Sequence, residues 1–199
     1  MADEKVPDNA QNAVPRRYVV IDLEATCWEN YAVGQNEIIE IGAVAYEPEH
    51  GVLGDFQTFV KPKLRPQLSK FCKQLTKIQQ EDVDSARSFP EAFESLNHWA
   101  REFLPFLFVS WGDYDRKQFQ MDCRLHGVDY PFVNHMNLKK VFAELLGCQP
   151  MGMVRSLIRL SLSPEGTHHR ALDDTRNITR ILDQLIKETA KERWRGVFG

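Results

Sequence analysis

In YVVIDLEATCWEN, residues 18–30, two carboxylates stand two positions apart at the end of an apolar run: Asp22 and Glu24. Residues two apart on a strand project from one face. Side by side, the acids repel each other and lose hydration. A hard divalent cation resolves the conflict, because it takes oxygen ligands and favours the ionised form. An isolated Asp-x-Glu also fits a strand end turning into solvent, so other acids must decide. Asp113 and Asp115, in SWGDYDRKQF, lie where an apolar strand gives way to a helical pattern. Helix capping is their plain alternative. A third set lies in THHRALDDTRNITRIL. Asp174 shares a helical face with Ile178, Ile181 and Leu185, at the edge of the expected buried stripe. His169 stands five residues earlier, placed to take a proton near neutral pH; a lone loop histidine is more often merely exposed.

The elements that must bring these groups together follow from periodicity. Strands are predicted at 18–24, 37–47 and 51–62, the last two punctuated by Pro48 and Gly51 as in an antiparallel hairpin. Short helical turns follow Pro66. FPEAFESLNHWAREFL then carries Phe89, Phe93, Leu96, Trp99 and Phe103 at helical spacing, with Pro90 in its first turn. An apolar strand over 106–112 leads into a helix that stops at Gly127. Two shorter helices and a long one over 171–194 complete the chain. The order predicts an α/β domain with a mixed central sheet flanked by helices. The first strand is apolar on both faces, so its carboxyl end should lie at the rim of a covered sheet, where α/β folds place ligands.

The segment DLEAT superficially resembles the Asp-x-Asp-x-Thr of haloacid-dehalogenase-like phosphatases, but Glu24 is one methylene longer than the second Asp of that motif. The whole set fits another family. Asp-x-Glu on a first strand, an aromatic-Asp opening a mid-chain helix, and His-x4-Asp near the end resemble the DEDDh 3′→5′ exonucleases, which have a ribonuclease-H-like fold. FCKQLTKIQQEDVDSARSFPEAF, SWGDYDRKQF and HRALDDTRNITRIL extend the similarity over roughly 17–187, closest to the ERI-1/3′hExo-like branch. The resemblance implies a catalytic set of Asp22, Glu24, Asp115, His169 and Asp174. Asp115 is preferred to Asp113 because it follows the aromatic Tyr114, and His169 to His168 because its spacing leads to Asp174. The four acids would hold two Mg²⁺ or Mn²⁺ ions about 4 Å apart, Asp22 bridging both, with His169 as general base. Phe71 and Tyr114 match the aromatics that stack the terminal base, with core packing as the alternative for each. Leu23, Ala25 and Thr26 match the segment lining the terminal-nucleotide pocket.

The implied activity is metal-dependent release of nucleoside 5′-monophosphates from the 3′ ends of single-stranded RNA, or of DNA. A non-catalytic nucleic-acid-binding adaptor on the same fold is the alternative. Arg116, Lys117, Arg155, Arg159 and Arg170 are candidate phosphate contacts. Eukaryotic members of the branch commonly carry an added SAP domain, for which this chain has no room. Its 199 residues are 43% hydrophobic and 27% charged, with a net charge of −3, so a polyanion partner needs local cations rather than global attraction. Cys27, Cys72, Cys123 and Cys148 form no Cys-x-x-Cys pair. With no signal-peptide pattern, no run long enough to span a bilayer and scattered cysteines, the expectation is a cytoplasmic protein with no membrane partner. Residues 1–15 read as a loose polar tail and 16–199 as one domain.

Overall fold

The computed structural model describes residues 17–29 and 35–190. The polar tail and the last residues of the predicted C-terminal helix fall outside that range. Among the described residues, six strands form one sheet in the order β4-β3-β2-β1-β5-β6. β1 (Arg17–Ala25), β2 (Ile38–Glu47) and β3 (Gly51–Lys61) run as an antiparallel meander. β5 (Phe106–Ser110) lies parallel to β1 on its other side, and β6 (His135–Asn137) extends the sheet parallel to β5. β4 (Arg87–Ser88) pairs with the end of β3. This is the mixed, helix-flanked sheet of the ribonuclease-H-like fold. The sequence reading missed β4 and β6, because two or three residues are too few to show a period of two.

The alternation of β1 divides the core. Val19, Ile21 and Leu23 point to the face covered by α3 (Phe89–Arg101) and α4 (Tyr114–His126), where Phe89, Phe93, Phe108 and Phe119 are fully buried. Tyr18 and Val20 point to the opposite face, against Ile178, Ile181, Leu182 and Leu185 of α7 (Ala171–Ala190). α5 (Leu138–Leu145) and α6 (Met153–Arg159) pack on that second side through Phe142 and Leu157. A smaller cluster of Ile39, Leu68, Cys72, Ile78 and Val83 seats α1 (Lys70–Thr76) and α2 (Gln80–Asp84) near the start of β2.

Local chemistry sets the helix ends. Ser88 and Glu91 form a reciprocal capping box at α3, with Pro90 in the first turn. α4 ends at Gly127 in the left-handed conformation. α7 meets the sheet at Gly42: a Cβ there would lie 2.3 Å from the Ala171 carbonyl carbon, so only glycine permits the contact. The Thr175 hydroxyl donates to the Gly42 carbonyl at 3.1 Å and fixes the approach. That close packing carries the N-terminal turn of α7 to the end of β1.

Candidate active site

Asp22 and Glu24 share the parity of Tyr18 and Val20, so they face α7. Asp174, in the first turn of α7, comes down opposite them, and carboxylate oxygens of Asp22, Glu24 and Asp174 all lie within 4.8 Å of one another. Asp115 approaches from α4. Because β1 and β5 are parallel, their carboxyl ends share one edge, and the chain leaving β5 starts α4 beside β1. The Leu23 N–H donates to Asp115 Oδ1 at 3.3 Å across that edge. Four acids from three distant segments thus converge on one cleft.

The electrostatics of these acids favour a nearby counter-charge. Burial, then repulsion from Asp115, Glu24 and Asp174, raises the Asp22 carboxyl well above its ordinary range. Glu24 is pushed up to about 8, first by burial and then by Asp174 and Glu40. Asp115 rises to about 6 through burial, held down by hydrogen bonds from backbone N–H groups and the Ser110 hydroxyl. Oxygen donors at this spacing, with Asp22, Glu24 and Asp115 destabilised as anions, fit a hard divalent cation.

His169 occupies the lip. Its backbone is left-handed, φ 64°, and its N–H donates to Asp174 Oδ2 at 3.0 Å. Its Nδ1 lies 4.0 Å from Glu24 Oε1. Burial, then the neighbouring His168, lowers its pKa below the ordinary histidine value, partly opposed by Asp174. The ring is therefore neutral near pH 7, the form able to accept a proton. Arg170 anchors the turn by a two-point contact with the fully buried Glu40, whose carboxylate also accepts from the Ala171 N–H. Arg170 is thus committed to the scaffold rather than to a phosphate, and Arg116 is drawn to Asp113 at 3.3 Å.

The two residues of SWGDYD separate clearly. Asp115 is buried in the cleft, whereas Asp113 turns outward to Arg116, Lys140 and His135. Burial would raise the Asp113 pKa, but a hydrogen bond from Asn137 and the nearby cations outweigh it and lower the value. Behind Asp115, the Ser110 hydroxyl donates to the Gly112 carbonyl at 2.9 Å and meets His135 Nε2, also at 2.9 Å, while its proximity helps hold the Asp115 pKa down. Sequence reasoning missed Ser110, His135 and Glu40. Only Glu40 left a signal, as an acid inside the apolar strand EIIEIGAVAYE, directly opposite Glu24.

Phe71 and Tyr114 are 38% and 50% exposed, which removes core packing as their explanation. Leu23 packs into the α3/α4 core, and Ala25 is buried with its carbonyl facing Cys72 Sγ. The Thr26 hydroxyl accepts from the Glu37 N–H at 2.9 Å. Those three side chains are thus engaged with the protein.

The family model described as Exonuclease matches residues 19–182. The chain belongs to this exonuclease family. Within it, the chain falls in the ERI-1/3′hExo-like DEDDh branch. Human ERI1 exoribonuclease 3 is 33% identical over 198 residues, covering 89% of this chain and 58% of that protein. The 3′-5′ exonuclease Snipper of Drosophila melanogaster is 28% identical over 201 residues, 88% of this chain and 72% of that one. Among solved structures, the nuclease domain of 3′hExo, a DEDDh family member bound to rAMP, superposes with a TM-score of 0.85 at 28% identity, covering 89% of this chain and 94% of that one. A 3′-exonuclease structure described as showing 3′-end specific recognition of histone mRNA stem-loop gives 0.82 at 27% identity, over 88% and 84%. The chain spans less than two-thirds of the length of several curated relatives that it matches. Membership in the DEDDh exonucleases implies divalent metal ions.

Proposed function

We propose that this domain hydrolyses phosphodiester bonds from the 3′ end of single-stranded nucleic acid, RNA in preference, releasing nucleoside 5′-monophosphates. The observation that carries the proposal is the convergence of Asp22, Glu24, Asp115 and Asp174 on one cleft with His169 at its lip. The names of the relatives, exoribonucleases and a 3′hExo domain bound to rAMP, support the direction and the RNA preference.

Each residue has a defined task. The four carboxylates would hold two Mg²⁺ or Mn²⁺ ions, which when bound neutralise phosphate charge and acidify a water molecule. The neutral imidazole of His169 takes the proton from the attacking water, held in place by its backbone bond to Asp174 and by the Arg170–Glu40 anchor. Phe71 and Tyr114 offer exposed rings to the terminal base, a contact that tolerates any base identity.

Matched 5′-labelled RNA and DNA, single-stranded and duplex, incubated with Mg²⁺ or Mn²⁺ test this reading. Stepwise shortening of single-stranded RNA with nucleoside 5′-monophosphates as product is expected. Internal cleavage, or products carrying a 3′-phosphate, would overturn it. Tight RNA binding with no turnover under either metal would make the domain an adaptor instead.

A further inference from the structure

His168 belongs to none of the catalytic roles, yet its imidazole is built into the site. Its Nδ1 lies 3.0 Å from both carboxylate oxygens of Asp174. The His168 and His169 rings stack with centroids 4.0 Å apart and planes inclined by 28°. One donor atom from each of His168, His169 and Asp174 falls within 4.8 Å of the others. The His168 side chain is half exposed, so an ion can enter from solvent.

This donor set differs in kind from the all-oxygen cleft beside it. Two imidazole nitrogens and one carboxylate oxygen match the three-ligand sites of Zn²⁺, which leave a fourth tetrahedral position for water. Tetrahedral zinc with ligand bonds near 2 Å holds its donors roughly 3.3 Å apart, so the two stacked, partly exposed rings must swing out of their stack to aim both lone pairs at the ion. Mg²⁺ prefers oxygen and octahedral geometry and competes poorly for such nitrogens.

We propose that His168, His169 and Asp174 form a zinc-binding subsite that overlaps the catalytic centre and shuts it off. The ion takes the His169 lone pair, so the imidazole no longer accepts a proton from water, and it occupies Asp174, which the catalytic cleft shares. The inhibitory part rests on the reading of His169 as general base; the zinc site itself does not. The domain is then activated by one class of cation and silenced by another through a single added histidine.

Calorimetric titration of the metal-free full chain with Zn²⁺ tests the site directly. A zinc site that depends on His168 is expected in the wild type, distinct from any zinc held by the carboxylates, retained in Asp22→Asn and weakened at least tenfold in His168→Asn. At fixed Mg²⁺, the zinc concentration that halves RNA decay should rise by a similar factor in His168→Asn. His168→Gln repeats both measurements should the first variant fold poorly, as judged by its thermal unfolding. Unchanged zinc affinity in the His168 variants, or loss of binding in Asp22→Asn, would place the ion in the carboxylate cleft and overturn the proposal. So would the absence of zinc binding, or equal inhibition of wild type and variant. A wild type that binds zinc through His168 but never shortens RNA would sink the nuclease reading and leave the site standing.

Discussion

Replacing Glu24 by Gln removes one ionisable carboxyl from the acidic cleft while keeping the side chain's shape. Glu24 is 8% exposed, and its folded-state pKa is raised from 4.5 to about 8. The folded protein therefore holds this proton more tightly than the unfolded chain does. The associated stability is complete below about pH 4.5 and is lost as pH rises toward 8. At 1.36 kcal/mol per unit, the metal-free fold carries a burden of about 4 kcal/mol at pH 8 and under about 1 kcal/mol at pH 5. Glu24→Gln relieves it, so the variant should melt roughly 8–16 °C above wild type at pH 8 and within about 4 °C of it at pH 5. Thermal unfolding in EDTA, followed by circular dichroism at both pH values, measures the difference. Added Mg²⁺ should reverse the order, because only the wild type gains the full ligand set. Equal stabilisation at both pH values, or none at pH 8, would refute the electrostatic account of the cleft.

Ser110→Ala should release Asp115 from its hydroxyl partner, raising the Mg²⁺ concentration needed for half-maximal activity by about tenfold with a smaller change in maximal rate; a metal titration of initial rates reads the split. Phe71→Ala and Tyr114→Ala should each weaken binding of single-stranded RNA by about 1–3 kcal/mol, measured by fluorescence anisotropy with catalysis blocked by Asp22→Asn. Their melting temperatures should stay near wild type, because both rings are exposed. Gly42→Ala forces a Cβ into the Ala171 backbone and should lower stability by several kcal/mol, as judged by denaturant unfolding, with loss of activity as α7 lifts Asp174 away.

What the sequence disclosed and what it hid follow from the range of each interaction. Asp22 and Glu24 announced themselves because they interrupt an apolar strand, and Asp174 because it sits on the edge of a helical stripe. Those are local patterns, and local patterns also placed the long strands and helices. Asp113 and Asp115 could be told apart only by the family's aromatic-Asp pattern. Their different fates depend on a bond from Leu23, 92 positions away, and on cations from Lys140 and Arg116. The Arg170–Glu40 anchor joins residues 130 positions apart, so Arg170 read equally well as a phosphate contact. His135 sits on a three-residue strand without periodic signature, and its contact with Ser110 exists only once β5 and β6 pair. Phe71 and Tyr114 carry no mark in composition that separates an exposed ring from a core ring; exposure is a property of the assembled fold.

The most direct test follows 5′-labelled single-stranded RNA in Mg²⁺ under single-turnover conditions, comparing wild type with Asp22→Asn. Loss of the carboxylate shared by the whole acidic cleft should abolish a one-nucleotide ladder that the wild type produces and EDTA stops. A ladder persisting at near-normal rate in Asp22→Asn would contradict the account.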